Sequence, residues 1–399
     1  MNSESGYDLI NRSQLVLSII MPCLNEAETL ERCLVKAHHS LSKLKINGEI
    51  IVGDNGSTDG SQEIAVRYGA RVINVPMRGY GSALYTACSE AHGIYIIMGD
   101  SDDSYDFSEL EPFLSKLSEG YDLVMGNRFL GGIKPGAMPW KNRFIGNPIL
   151  TAIGRCLFRS TVGDFHFGLR GVRKDAFERM DLRTTGMEFA SEMVIKATLY
   201  KMRISEVPTI LHKDGRSRPP HLRPWRDGWR HLRFMFLFRP KWLFIVPGMF
   251  LSVFSLIIYM VLLMGPLRIG RFVFDIHTLL LSIIGIVVGC MAVCFGVIVR
   301  FIGMHEGLLP EKPILQEIRK KPVVEVGGVV SLFFVLSGLL MVGKAFYVWE
   351  SADFGPMNPN FLIRLVSVGS VMCLIGSLTF FTSLVIGFIS LPTRDDRLR

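Results

Sequence analysis

Tyr95-Ile96-Ile97-Met98-Gly99-Asp100-Ser101-Asp102-Asp103 decides how the chain is read. It is a short apolar run that breaks off in carboxylates. The run has the length and composition of a buried parallel strand. A strand ending in acids delivers them to the mouth of an open α/β sheet, where ligands bind. Asp100 and Asp102 are two residues apart, so an extended chain turns both to one side. Two hard oxygen donors at that spacing suit Mg²⁺ or Mn²⁺ carrying substrate phosphates. The same residues also read as a solvated acidic loop capped by Asp103 or Ser104. The surrounding chain decides between the two.

Upstream and downstream, apolar runs alternate with segments of helical length. Strands are predicted at Leu15–Met21, Glu49–Gly53, Arg71–Val75, Ile94–Gly99 and Asp122–Gly126. Helices are predicted at Glu26–Leu44, Asp59–Tyr68, Gly81–His92, Phe107–Glu119 and Met187–Tyr200. Alternating βα units predict a mostly parallel sheet with helices on both faces. Residues 1–14 read as a flexible arm and 15–215 as the α/β domain. Leu15–Met21 leads into Pro22-Cys23-Leu24-Asn25-Glu26 without a cleavage pattern, so it reads as a strand and not a leader.

The 399 residues are 49% hydrophobic, with a mean hydropathy of +0.32. A soluble domain of this size does not average so apolar. Segments 242–264, 278–302, 324–348 and 365–390 are nearly uncharged and close to the ~20 residues that span a bilayer. Cations gather in the 303–323 loop (Lys312, Arg319, Lys320, Lys321) and the tail (Arg394, Arg397, Arg399). The loop after the third span carries Glu350 and Asp353 instead. By the positive-inside rule both termini and the α/β domain are cytoplasmic, with Arg268 and Arg271 as exceptions.

Residues 216–241 read as a basic amphipathic juxtamembrane helix. Trp225, Trp229, Leu232 and Phe236 recur at helical spacing, and Arg226, Arg230 and Arg233 lie on the adjoining stripe. This placement assigns the net charge of +8 to anionic membrane lipids and excludes nucleic acid as the partner. The seven cysteines show no metal or redox spacing and read as reduced.

Two further loops follow predicted strands on the rim of Asp100 and Asp102. They are Pro22–Glu26 and Asp54-Asn55-Gly56-Ser57-Thr58-Asp59-Gly60. Asp54 suits a base N–H and Gly56 permits close backbone approach, while Ser57 and Thr58 equally serve as helix caps. Arg78-Gly79-Tyr80-Gly81-Ser82 sets a cation and glycines before a helix, a seat for a diphosphate.

With these residues in place, the chain resembles the inverting glycosyltransferase family 2, in its polyprenyl-phosphate sugar synthase branch. The resemblance covers 15 to about 240 and rests on Pro22, Asn25-Glu26, Asp54–Gly60, Gly79, Gly81, Asp100-Ser101-Asp102 and Gly126-Asn127-Arg128. It implies a GT-A-like nucleotide-sugar-binding domain followed by a small α-helical membrane domain. Pro22, Asn25, Glu26, Asp54, Gly56, Ser57, Arg78 and Gly79 would hold the nucleotide sugar, and Asp100 and Asp102 the Mg²⁺ or Mn²⁺. Ser104 stands where the family often has a third ligand. Arg128 would bind the lipid phosphate with Arg143 and Asn147, and Arg218 would touch the donor diphosphate. Asp164 matches a recurring acid near the acceptor, as an orienting group first and a base second; pairing with Arg170 is its structural alternative. His166 reads as a lining residue.

The implied activity moves one sugar from a UDP- or GDP-linked donor to polyprenyl phosphate, inverting the anomeric carbon. The implied setting is the cytoplasmic leaflet of a bacterial inner membrane or its equivalent, in cell envelope glycan biosynthesis. A homo-oligomer is left open. A processive polysaccharide synthase would carry Gln-x-x-Arg-Trp where this chain has His221-Leu222-Arg223-Pro224-Trp225. A scaffold with a dead domain conflicts with the intact acidic pair, and a flippase with spans whose ionisable residues cluster at their ends.

Overall fold

A computed structural model of the chain describes residues 15–217, 224–310, 317, 321–356 and 359–391. Seven strands form one sheet: β1 (Leu17–Cys23), β2 (Gly48–Asp54), β3 (Arg71–Asn74), β4 (Tyr95–Met98), β5 (Leu123–Asn127), β6 (Arg170–Arg173) and β7 (Ile204–Pro208). Their order is β3-β2-β1-β4-β6-β5-β7. All pairs are parallel except the two made by β6. Central β1 is buried on both faces except at Pro22, which is why Leu-Ser-Ile-Ile-Met reads as a run and not an alternation.

Register explains the site. Cys23 pairs with Asp54 and Ile20 with Met98, so β1, β2 and β4 end on one rim. Strand order reverses at β1, between β2 and β4, which opens a crevice there. Reversed β6 sets Arg170 opposite Met98 and Met125, so the loop entering β6 also lies on that rim. The first five strands match expectation to within two residues at each end. Strands β6 and β7 were not expected: Arg170-Gly171-Val172-Arg173 has no apolar run, and Ile204-Ser205-Glu206-Val207-Pro208 has barely one.

Eight helices flank the sheet: α1 (Leu30–Leu44), α2 (Ser61–Arg67), α3 (Tyr80–Ser89), α4 (Glu111–Ser118), α5 (Arg128–Gly131), α6 (Asn147–Phe158), α7 (Lys174–Met180) and α8 (Phe189–Leu199). Helix α1 buries Leu30, Cys33, Leu34, Ala37 and Leu41 at helical spacing and stops at Lys45 in the left-handed region.

The chain divides into two compact units, Met1–Met235 and Phe236–Arg399. The first runs past the expected boundary at 215 because α9 (Pro224–Leu237) packs one face inward. His231 and Met235 are buried, and Arg230 Nε donates to Glu188 at 2.7 Å. Arg230 therefore departs from the expected lipid-facing stripe, while Arg226, Trp229 and Arg233 stay exposed. Arg218, Arg223 and the expected cations of the 312–320 loop and the tail lie outside the described residues, as does the 1–14 arm.

The second unit holds four helices long and apolar enough to cross a membrane: Lys241–Met264, Ile276–His305, Val323–Glu350 and Asn360–Ile389. The first comprises a π turn, Lys241–Ile245, and α10 (Val246–Met264); the others are α11 (Ile276–His305), α12 (Val323–Glu350) and α13 (Pro359–Ile389). Small residues seam them: Gly248 against Gly289 in α10 and α11, Gly338 against Gly369 in α12 and α13. Arg364 of α13 donates to the Leu262 carbonyl at 3.0 Å and to Asp275 at 2.5 Å. It thereby closes the end of α10 onto the start of α11.

Candidate active site

The rim loops are laced to one another before they meet any substrate. Ser57 Oγ accepts from the Asn25 amide at 2.9 Å, and Asn25 Oδ1 accepts from the Thr58 amide at 2.8 Å. Asn25 sits at φ 59°, a conformation asparagine tolerates better than most residues. Asn25 and Ser57 are thus stitches between loops. Asp54, 1% exposed, accepts from the Gly56 and Ser57 amides at 3.0 Å and from Gln62 at 2.6 Å. The Pro22 carbonyl accepts from Ser101 Oγ at 2.7 Å, tying the first loop to the acidic one.

Gly79 and Gly81 acquire a reason other than the expected phosphate seat. A side chain on either would collide with backbone of Thr184 and Thr185. The Ser82 amide, one of the first in α3, donates to the Thr185 carbonyl at 3.1 Å. That loop is held from behind by Glu192, which accepts from the amides of Arg183 and Thr184 and pairs with fully buried Lys196 at 2.9 Å. Arg78 is exposed.

Asp100 is the most stressed group on the rim. Its Oδ1 is buried and has no hydrogen-bond partner among the described residues. Burial, then the charge of Asp102, pushes its pKa up to about 7, against relief from the Tyr80 and Tyr105 hydroxyls and from Arg216. Gly168 faces it: an added Cβ would lie 2.8 Å from Asp100 Oδ2. Asp102 spends Oδ1 on the Ser104 amide and hydroxyl, at 3.0 and 2.6 Å. Ser104, at the family's third-ligand position, is therefore a support for Asp102.

Asp102 Oδ2 accepts from Arg216 Nη2 at 3.0 Å. The same guanidinium reaches Glu26 Oε1 at 2.9 Å and closes on Asp214 through Nε and Nη2. Its side chain is 9% exposed. Burial opposes the cation, yet Asp214, Asp102 and Glu26 outweigh it and raise the pKa. This corrects the expectation that Arg216 begins the juxtamembrane helix of 216–241: it lies outside any helix and its partners are carboxylates of the rim. A legible signal was Asp214-Gly215-Arg216, an acid two residues before a cation and well ahead of the first span. Arg218, expected on the diphosphate, lies outside the described residues.

Beyond the acids, Arg128 and Asp164 form the second buried pair. Arg128 Nε and Nη2 donate to the two carboxylate oxygens at 2.6 and 2.8 Å, with side chains 8% and 0% exposed. Burial opposes Arg128's charge, but Asp164 outweighs it and raises its pKa. The alternative pairing of Asp164 with Arg170 is not formed. Arg170 donates instead to the carbonyls of Phe167, Ala190 and Phe165, bracing the loop that carries Asp164. Glu206 accepts from the Gly163 and Asp164 amides and from Asn127; sequence reasoning missed it because β7 itself was missed.

His166 has both ring nitrogens buried without a hydrogen bond among the described residues, although part of the residue stays exposed. Its ring lies 4.6 Å from that of His231, and burial, then His231, holds its pKa well below the usual imidazole range. Arg143 is exposed on the π turn Asn142–Gly146, stacked 5.3 Å from the Phe144 ring. Asn147 approaches Met138 Sδ at 3.6 Å. Neither hydrogen-bonds to the Arg128–Asp164 pair. Around them Phe129, Leu130, Trp140, Phe144, Ile145 and Ile149 are all more than 40% exposed, an apolar surface that calls for a hydrophobic partner.

The donor set fits a divalent cation by its chemistry: two carboxylates, one with a buried unsatisfied oxygen, and a second whose oxygen is already on a cation. No cluster of three or more His, Cys, Asp or Glu suited to a metal is found among the described residues.

A family model described as glycosyl transferase family 2 matches residues 18–181. A second, the glycosyltransferase family 2 C-terminal transmembrane region, matches 297–390. The low-salt glycan biosynthesis hexosyltransferase Agl6 of Haloferax volcanii is 34% identical over 372 residues, 93% of this chain and 88% of its own length. The dolichyl-phosphate hexose transferase of the same organism is 30% identical over 193 residues, 48% of this chain and 81% of that one. Among solved structures, glucosyl-3-phosphoglycerate synthase of Mycobacterium tuberculosis, in complex with Mn²⁺, UDP and glucosyl-3-phosphoglycerate, is similar at TM-score 0.45. Its identity is 22%, over 57% of this chain and 81% of that one.

Proposed function

This chain belongs to glycosyltransferase family 2 and is a membrane-bound glycosyltransferase, and from that premise we propose its reaction: one hexosyl group passes from a nucleotide sugar to polyprenyl phosphate at the cytoplasmic leaflet. The observation that carries the reading is the pairing of sites on one rim. Asp100 and Asp102, with one buried oxygen unsatisfied, lie on the same rim as a buried arginine, Arg128, whose helix exposes Phe129 and Leu130. A diphosphate suits the first, and a lipid-borne phosphate the second.

Asp100 and Asp102 would hold a Mg²⁺ or Mn²⁺, which supplies charge neutralisation to the departing nucleoside diphosphate. Asp54, whose Oδ1 takes only a 3.3 Å bond from the Ser57 amide, would accept from the base there, and Glu26 and Pro22 would line the same cleft. For the diphosphate to reach Asp102, Arg216 must leave that carboxylate. A guanidinium freed beside a diphosphate becomes its clamp. Arg128 would bring the acceptor phosphate forward, with Arg143 meeting it from the exposed side.

An acceptor oxygen attacks the anomeric carbon as the bond from that carbon to the diphosphate breaks, and the electron pair leaves with the nucleoside diphosphate. Attack from the opposite face inverts the centre. A phosphate monoester, with its second pKa of about 6, is already largely dianionic at neutral pH. No general base is required. Both Asp164 oxygens accept from Arg128, so Asp164 orients Arg128 and does not need to take a proton. The positive-inside distribution of cations supports the cytoplasmic side.

The test is a panel of radiolabelled nucleotide sugars with purified protein, Mg²⁺ or Mn²⁺, and undecaprenyl phosphate. Mild-acid-labile label in the organic phase from one donor is expected. Absence of lipid-linked label from every donor would sink the reading.

A further inference from the structure

The membrane unit carries a cation that the transfer reaction does not use. Arg300 lies in α11 five residues before its end at His305. At 1.5 Å per residue that is about 7 Å along the axis, the depth of the headgroup boundary and not of solvent. Arg300 is half-buried, and among the described residues it makes no hydrogen bond or ion pair.

Packing places a second arginine beside it. A Cβ added to Gly296 would come within 2.6 Å of Ile245 and 2.9 Å of Phe244, so α11 lies tight against the π turn Lys241–Ile245. Arg300 is one helical turn past Gly296 on the same face. On the other side of the contact, the Trp242 amide donates to the Arg239 carbonyl at 2.9 Å, folding Arg239 directly onto the start of that turn. The two cations thus reach the same end of the α10–α11 hairpin. Arg239 has an interaction of its own, so Arg300 is the cation left to be matched.

A guanidinium half-withdrawn from water beside a second guanidinium is costly unless an anion meets it. At this depth the abundant anion is lipid phosphate, and guanidinium binds phosphate through paired N–H bonds. We propose that Arg300 and Arg239 form a binding site for the phosphate group of a membrane lipid, separate from the Arg128 site. An anionic phospholipid and prenyl phosphate share that chemistry, so the test separates them.

The experiment uses the full chain, delipidated in neutral detergent, and reads the thermal midpoint on adding phosphatidylcholine alone, phosphatidylcholine with phosphatidylglycerol, or phosphatidylcholine with undecaprenyl phosphate. Wild type should gain thermal stability with one anionic lipid over phosphatidylcholine alone. Arg300→Gln should weaken that lipid's binding by about tenfold, Arg300→Lys by less, and Lys344→Gln, a cation elsewhere in the unit, not at all. Loss of the phosphatidylglycerol shift in Arg300→Gln assigns a phospholipid. Loss of the undecaprenyl phosphate shift assigns the prenyl lipid. Equal shifts in wild type and Arg300→Gln, or none in wild type, overturn the site. If Arg300→Gln is not recovered folded, salt decides with wild type: a shift that shrinks between about 50 and 500 mM NaCl supports it, and a salt-independent one overturns it.

Discussion

The site contains two buried arginines, each closed on carboxylates, and they are built differently. Arg128 meets Asp164 in one bidentate pair. Its own amide also points at Asp164, at 3.3 Å, and Glu206 and Arg170 brace the loop behind. Arg216 divides its guanidinium among Asp102, Glu26 and Asp214 and stands on a segment with no helix or strand. The first is a pair whose geometry is over-determined. The second is a cation seated on the carboxylates that a metal–diphosphate would claim. On the proposed reaction, the same chemistry would serve as scaffold at one end of the crevice and as an exchangeable occupant at the other.

The largest effect should come from removing the shared acid at the exchangeable end. Asp102→Ala should lower transfer by about 10³-fold or more, because neutralising the charge of the leaving group contributes most to this kind of catalysis. Its folding should be nearly intact, as Arg216 keeps Asp214 and Glu26. Activity within tenfold of wild type would remove Asp102 from the mechanism and the comparison with it. At the scaffold end the loss should fall on stability. Asp164→Ala strands a buried guanidinium and should cost about 3–5 kcal/mol in chemical denaturation. Adding Arg128→Leu should restore much of that. Failure of the double variant to recover would mean that Asp164 matters through the loop and not the pair.

Asp100 offers a smaller test, with a pH signature. Its pKa stands near 7 in the fold and near 3.9 in an unfolded chain. The unfolded state thus ionises first, and native stability falls as pH rises from about 4 to about 7, then levels. Asp100→Asn removes that cost. In EDTA its thermal midpoint should exceed that of wild type, by more at pH 8 than at pH 5, while transfer is lost. A gain larger at pH 5 than at pH 8 would show that burial is not what burdens this carboxylate.

How much of this was readable depended on whether one strand or several made the feature. The acidic pair and its rim were legible because Tyr95–Met98 and the loop after it are contiguous. Strands β1, β2, β4 and β5 were legible because buried parallel strands are apolar runs, and edge strand β3 through the short Val72-Ile73 pair between turn residues. Strand β6 was not, since its buried Arg170 answers carbonyls on three other residues that no local pattern reveals. The glycines at 79 and 81 were read for a phosphate seat; that they also accommodate backbone about 100 residues away is a long-range contact no local pattern reveals. Arg216 was grouped with its neighbours in sequence, the cations ahead of the first span, while its partners are Glu26 and Asp102.

Arg216 also gives the finest test of the comparison. If it is an exchangeable occupant, its removal should help a metal and harm the reaction. Arg216→Ala leaves Glu26, Asp102 and Asp214 facing one another without a cation, and that repulsion favours any divalent ion that enters. Mn²⁺ binding to the nucleotide-free protein, followed by electron paramagnetic resonance, should tighten by about tenfold, since one competing cation worth about 1.4 kcal/mol is gone. Transfer should nevertheless fall, because the clamp for the departing diphosphate is lost. Weaker Mn²⁺ binding in Arg216→Ala would place Arg216 with Arg128, as scaffold, and make the two ends of the crevice alike.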